Sequence, residues 1–106
     1  MSKSASESDK SLSDEAEARR KAIENLPAPR FDTLIQLLAS QAVVAMGMVP
    51  GPDGQVTKEL PLARHFIDLL SILEKKTEGN LDETERKQLD GALHELRMTF
   101  MYVSKG

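Results

Sequence analysis

The chain has 106 residues, enough for one small domain with a limited core. It contains no cysteine, which excludes a disulfide framework, thiol chemistry and thiolate zinc sites. Its formal net charge of -3 runs against a dedicated nucleic-acid binder, which presents a basic patch or stripe.

Residues 1–30 form a compositional zone of their own. The zone is rich in Ser, Asp, Glu and Lys, and Leu12, Ile23 and Leu26 are its large apolar residues. Such a segment buries too little surface to offset the entropy of ordering it. Asp14 to Asn25 favours helix and carries the i,i+4 pairs Glu15–Arg19 and Glu17–Lys21, each worth about 0.2–0.5 kcal/mol in an isolated helix. That length is near the lower limit for a lone helix. A flexible charged tail with a frayed, transient helix is expected, stopped by Pro27 and Pro29. The opening residues hold no apolar h-region, so no secretory signal is expected and a cytoplasmic location follows.

Residues 31–104 should form the ordered body. Phe31 to Val49 is apolar on nearly every side of a helix. Leu34, Ile35, Leu37, Leu38, Val43, Val44 and Met46 leave Thr33, Gln36, Ser40 and Gln41 to meet water. A surface helix would carry one apolar stripe and one polar face. The pattern predicts a helix over about 32–47, with Asp32 as N-cap and Gly47 at its end. Ala39, Ala42, Ala45 and Gly47, with Ser40, line it with small residues that permit close helix approach. Val49 to Gly54 is a dense turn signal, its Pro52-Asp53-Gly54 suited to a type I turn. Gln55 to Thr57 suits a short extended piece outside any sheet.

A second helix is predicted over 60–77, with Pro61 in the first turn, where its missing N–H costs nothing. Its stripe is Leu62, Phe66, Leu69, Leu70 and Leu73, widened by Ala63, Ile67 and Ile72. Lys75 and Lys76 suit the negative end of its dipole, and Gly79 suits a left-handed cap. A third helix, 82–103, opens on the capping box Asp82-Glu83-Thr84-Glu85. Leu89, Leu93, Leu96, Phe100 and Val103 form its stripe, joined by Ala92. The fold class expected is all-α: a three-helix bundle-like domain behind a disordered or partly helical N-terminal tail.

A chain this small has little protein with which to surround the first helix. A membrane span needs about 20 predominantly apolar residues; this run is shorter, contains Gln36, Ser40 and Gln41, and is flanked only by Arg30. Self-association is therefore favoured over insertion. A homo-oligomer is expected, a dimer foremost, through Leu34, Leu38, Ala39, Ala42, Val43, Ala45 and Met46. A monomer wrapped by its other helices, a different protein partner, and peripheral membrane association through 31–49 stay open. Met46, Met48, Met98 and Met101 suit an adaptable apolar surface or ordinary core filling.

His65, Asp68, His94 and Glu95 invite a metal or acid–base hypothesis. Di-iron bundles, however, use Glu-x-x-His pairs with further inward glutamates, and that constellation is missing. No serine has a histidine and acid partner in sequence context, and Thr77 to Asn80 lacks the spacing of a phosphate loop. No catalytic group, cofactor or metal ligand is assigned. A small ligand- or metal-binding enzyme built in the bundle is the alternative class. Asp68 is expected to pair with Arg97 across the second and third helices, fixing their register. Pairing with Arg64, or two solvated charges, are the competing outcomes.

Phe31, Leu34, Leu38, Gln41-Ala42 and Gly47-Met48-Val49-Pro50 recur in a pattern with Ile67-Asp68-Leu69-Leu70, Leu73, Lys76-Thr77, Gly79-Asn80-Leu81, Leu93 and Leu96-Arg97. In order and spacing the chain resembles an uncharacterised bacterial family, domain of unknown function 1844, over most of Phe31 to Tyr102. The resemblance implies a small cytoplasmic helical protein without assigned activity, cofactor or substrate, and it brings no catalytic residues. Pro61 departs from the family pattern. The combined expectation is a non-enzymatic self-association or adaptor module that binds no nucleic acid.

Overall fold

The computed structural model describes residues 3–105, with side-chain exposure from residue 13 onward. Its helices are α1, Lys3–Glu24; α2, Phe31–Ala45; α3, Leu60–Lys76; and α4, Glu83–Lys105. Among the described residues there is no strand. The all-α class holds, but with four helices where three were expected. The additional one is α1: the helix anticipated over Asp14 to Asn25 begins at Lys3. Among the described residues it packs on none of the other three.

The helix ends are built by local chemistry. α2 begins at Phe31, one residue before the predicted start, with Arg30 in extended conformation as an N-cap that makes no side-chain bond. Asp32 instead occupies the first turn, where its charge suits the positive end of the dipole. At the other end, Gly47 N–H donates to Val44 O at 3.0 Å and Met48 N–H to Val43 O at 3.3 Å, the paired bonds of a Schellman cap. Gly47 adopts φ +78 there, and a Cβ would sit 3.3 Å from Lys58 Cβ. The left-handed conformation calls for glycine, and the Lys58 contact would be tight for any larger residue.

The loop that follows folds on itself. Gly54 N–H donates to Gly51 O at 3.0 Å and Gln55 N–H to Asp53 Oδ1 at 3.0 Å, closing the turn that Pro52-Asp53 predicts. Pro61 lies in the first turn of α3. The capping box of α4 is complete: Glu85 N–H donates to Asp82 Oδ1 at 2.8 Å, and Asp82 N–H to Glu85 Oε1 at 3.0 Å.

α3 runs antiparallel to α2 and α4, which run parallel to each other. Asp32 of α2 shares a cleft with Lys87 of α4, and Met46 shares another with Val103. Arg64 near the start of α3 meets Met101 near the end of α4, and Glu74 meets Arg86. Glu59 N–H donates to Ala45 O at 2.7 Å, which sets Ala42 about level with Ala63. The core between the three helices is Ile35, Ala42, Ala45 and Met46 from α2, Ala63, Ile67 and Leu70 from α3, and Leu89, Leu93 and Leu96 from α4.

Leu70→Ala should cost about 2–5 kcal/mol in urea unfolding, because a fully buried leucine leaves a cavity when truncated. Val56→Ala, on the exposed loop, should stay within about 0.5 kcal/mol of the parent.

Candidate functional site

The apolar character of α2 divides into two faces once the helices pack. Ala42, Ala45 and Met46, three of the residues expected between copies, are buried in the chain's own core. Leu38, Ala39 and Val43 are half-buried against that core. Of the expected interface only Leu34 is exposed. Ala42, Ala45 and Met46 are therefore withdrawn from an intermolecular contact, because α3 and α4 already occupy the space in front of them. A charged side chain at Ala42 would break the fold before it reached a second chain.

A different set of side chains faces outward. Leu34, Leu37, Gln41 and Val44 on α2 are spaced three, four and three residues apart, and all but the half-buried Val44 are exposed. At 100° per residue this strip lies roughly opposite Ile35, Gln36 and Ala39, which line the groove toward α4. Leu62, His65, Leu69 and Ile72 repeat the spacing on α3, well away from Ile67 and Asp68 on its α4 side. The two strips flank the α2–α3 seam on the side that α4 leaves open. None of these eight residues carries a charge at neutral pH, with His taken as neutral. Leu37 is 57% exposed and Ile72 53%. Sequence periodicity did not isolate this face, because α2 shows apolar residues in nearly every direction.

The residues that invited acid–base chemistry are separated. His65 lies on the outer strip of α3, with its ring edge-on to Phe66 at 5.8 Å. His94 and Glu95 line the α2–α4 groove instead. Asp68 turns toward α4. Among the described residues, no three metal-ligating side chains come together.

The expected Asp68–Arg97 pair is not formed. Arg97 Nη2 donates to Ser71 Oγ at 2.6 Å, and Asp68 belongs to none of the ion pairs among the described residues. Arg97 has turned one helical step along α3, toward the Glu74 carboxylate, whose acidity it favours. The cross-helix link is thus a guanidinium–hydroxyl bond. Glu74 also meets Asp90 of α4. The hydrogen bond between the two carboxyl groups raises the Glu74 pKa above its ordinary value, partial burial and the Asp90 charge add to the rise, and Arg97 opposes it.

Matched against family models, residues 28–102 fit the one described as Domain of unknown function (DUF1844). The chain belongs to that family, and the match spans α2, α3 and most of α4. Comparison with curated proteins and with solved structures returned no match. No helix among the described residues is long and apolar enough to cross a membrane.

In double-mutant cycles, Ser71→Ala and Arg97→Ala should couple, by about 0.5–1.5 kcal/mol. Asp68→Ala and Arg97→Ala should be additive within about 0.5 kcal/mol. Because the Glu74 pKa is raised in the fold, the folded state holds its proton more tightly than the unfolded chain. The stability this contributes is complete below the unfolded value, near 4.5, and is lost as pH rises through the folded value. Urea midpoints measured from acidic to neutral pH should show this decline, and Glu74→Gln should flatten it.

Proposed function

We propose that this chain is a non-enzymatic self-association module, and that two copies meet through the α2–α3 face. One observation carries the reading: eight uncharged residues at helical-seam spacing lie on two adjacent helices, on the side that the third helix does not cover. Monomers rarely leave contiguous apolar patches beyond a few hundred Å². Leu34, Leu37, Leu62 and Ile72, each 40–57% exposed, offer on the order of 400 Å² between them, and Gln41 and His65 bring the face toward the ~800 Å² per partner of a standard interface.

A second copy suits this face better than a charged partner. A two-fold contact sets each residue near the axis against its own duplicate. Any charge there would meet its like, and these strips have none. The alternation of three- and four-residue steps on both helices is that of helices packing side by side. Two α2–α3 pairs brought together in this way make a four-helix layer with an α4 on each outer side. The reading uses no cofactor and no catalytic group.

Light scattering over a concentration series tests it. The parent chain should have twice the monomer mass, and Leu37→Asp should shift it to monomer while circular dichroism keeps the helix signal, since Leu37 lies outside the core. A parent dimer whose mass is unchanged by both Leu37→Asp and Ile72→Asp would overturn the assignment of this face. A parent that stays monomeric at every concentration would overturn self-association and leave the face to a different protein.

A further inference from the structure

A second uncovered feature lies on the other side of α2. There α2 and α4 bound a groove of about 530 Å³, floored by Ile35, Ala39, Gly91 and Ala92 and rimmed by Lys87 and Glu95. A Cβ built on Gly91 would meet nothing within 4 Å, so open space stands over the glycine. Small residues on a groove floor let the backbone of another helix come close.

α1 has the complementary character. Among the described residues it touches none of the other helices, yet Ile23 and Leu26, near and just beyond its end, are exposed. Ala16, Arg19, Ile23 and Leu26 follow one another at three-, four- and three-residue steps, a narrow strip along the otherwise polar end of α1 and its exit. Ala16, the stem of Arg19 and Ile23 suit a shallow groove. The connector, residues 25–30, falls in the range of about 2–8 residues that joins neighbouring helices in bundles. It ends at the mouth of the groove, because Asp32 in the first turn of α2 lines that end.

We propose that α1 docks in the α2–α4 groove of its own chain, antiparallel to both helices, and completes a four-helix bundle. With equal rise on either side of the connector, Ile23 comes about level with Asp32, Arg19 with Gln36 and Ala16 with Ala39. Glu24 then stands toward Lys87, and the long Arg19 side chain, which leans toward the start of α1, extends along the groove toward Glu95 one turn away. This face is distinct from the α2–α3 strip, and the docking does not rest on dimer formation.

Because the chain has no cysteine, a single Gln88→Cys places a nitroxide on the groove rim. In isotope-labelled chain, the amide signals of Arg19 to Glu24 should be broadened. They should stay broadened when the sample is diluted into an excess of unmodified chain at natural isotope abundance. Adding Ile23→Asp should restore sharp signals without changing the mass by light scattering. Absence of broadening overturns the proposal, and so does broadening that disappears on dilution, which would seat α1 on another copy. Hydrogen exchange on the chain without the nitroxide provides a second reading. Ala16 to Glu24 should exchange about tenfold or more slowly than in the Ile23→Asp variant; equal rates in the two would overturn the docking.

Discussion

The close approach of α2 and α3 is the contact on which the rest of the structure depends. It is permitted by Ala42, Ala45 and Ala63, all buried, and locked by the bond from Glu59 N–H to Ala45 O. A larger residue at any of these positions would hold the helix axes apart and leave Ile35 and Leu70 without neighbours across the seam. The turn that makes the approach possible is equally constrained. Gly47 reverses the chain in a left-handed conformation with the Lys58 side chain packed directly against it. Small residues at the end of α2 thus act through geometry, by setting a separation that the leucines of α3 and α4 then fill.

Only one additional wall closes this pair. α4 contributes Leu89, Leu93 and Leu96 to the core and approaches α2 and α3 from one side. Three helices of this size cannot surround a helix that is apolar in nearly every direction. The outer strips of α2 and α3 remain exposed for that reason, and burial against a second copy would recover the hydrophobic contribution that the isolated bundle leaves unused. A second copy seated there would continue folding by the same interaction, along strips that carry no charge.

The polar contacts between α3 and α4 have a different role. Arg97 on Ser71 and the Glu74–Asp90 carboxyl pair lie at the margin of the core, where they align the helices and add little net energy. The carboxyl pair is mildly unfavourable once both groups are ionised. The family match covers this bundle and leaves out the whole of α1.

Much of the architecture was legible because it is written in local chemistry. Asp82 and Glu85 satisfy each other's backbone amides whatever surrounds them, Gly47 adopts a conformation that side-chain-bearing residues avoid, and Pro52-Asp53 turns the chain within four residues. The family resemblance, carried by the order of apolar and turn residues, was legible for the same reason. The inward face of α2 was not legible, because a helix that is apolar all round contains no phase: nothing in α2 alone distinguishes Ala42, which is buried, from Leu37, which is not. Asp68 and Arg97 were paired on charge alone, whereas the guanidinium settled on a hydroxyl one step away, beside a carboxylate. The sequence by itself determined the positions of three helices, their caps and the connecting turn, through contacts within a few residues. Which face of α2 lies inward, which strips stay uncovered and which partner Arg97 takes were decided only by tertiary packing, since each depends on where a distant helix comes to rest.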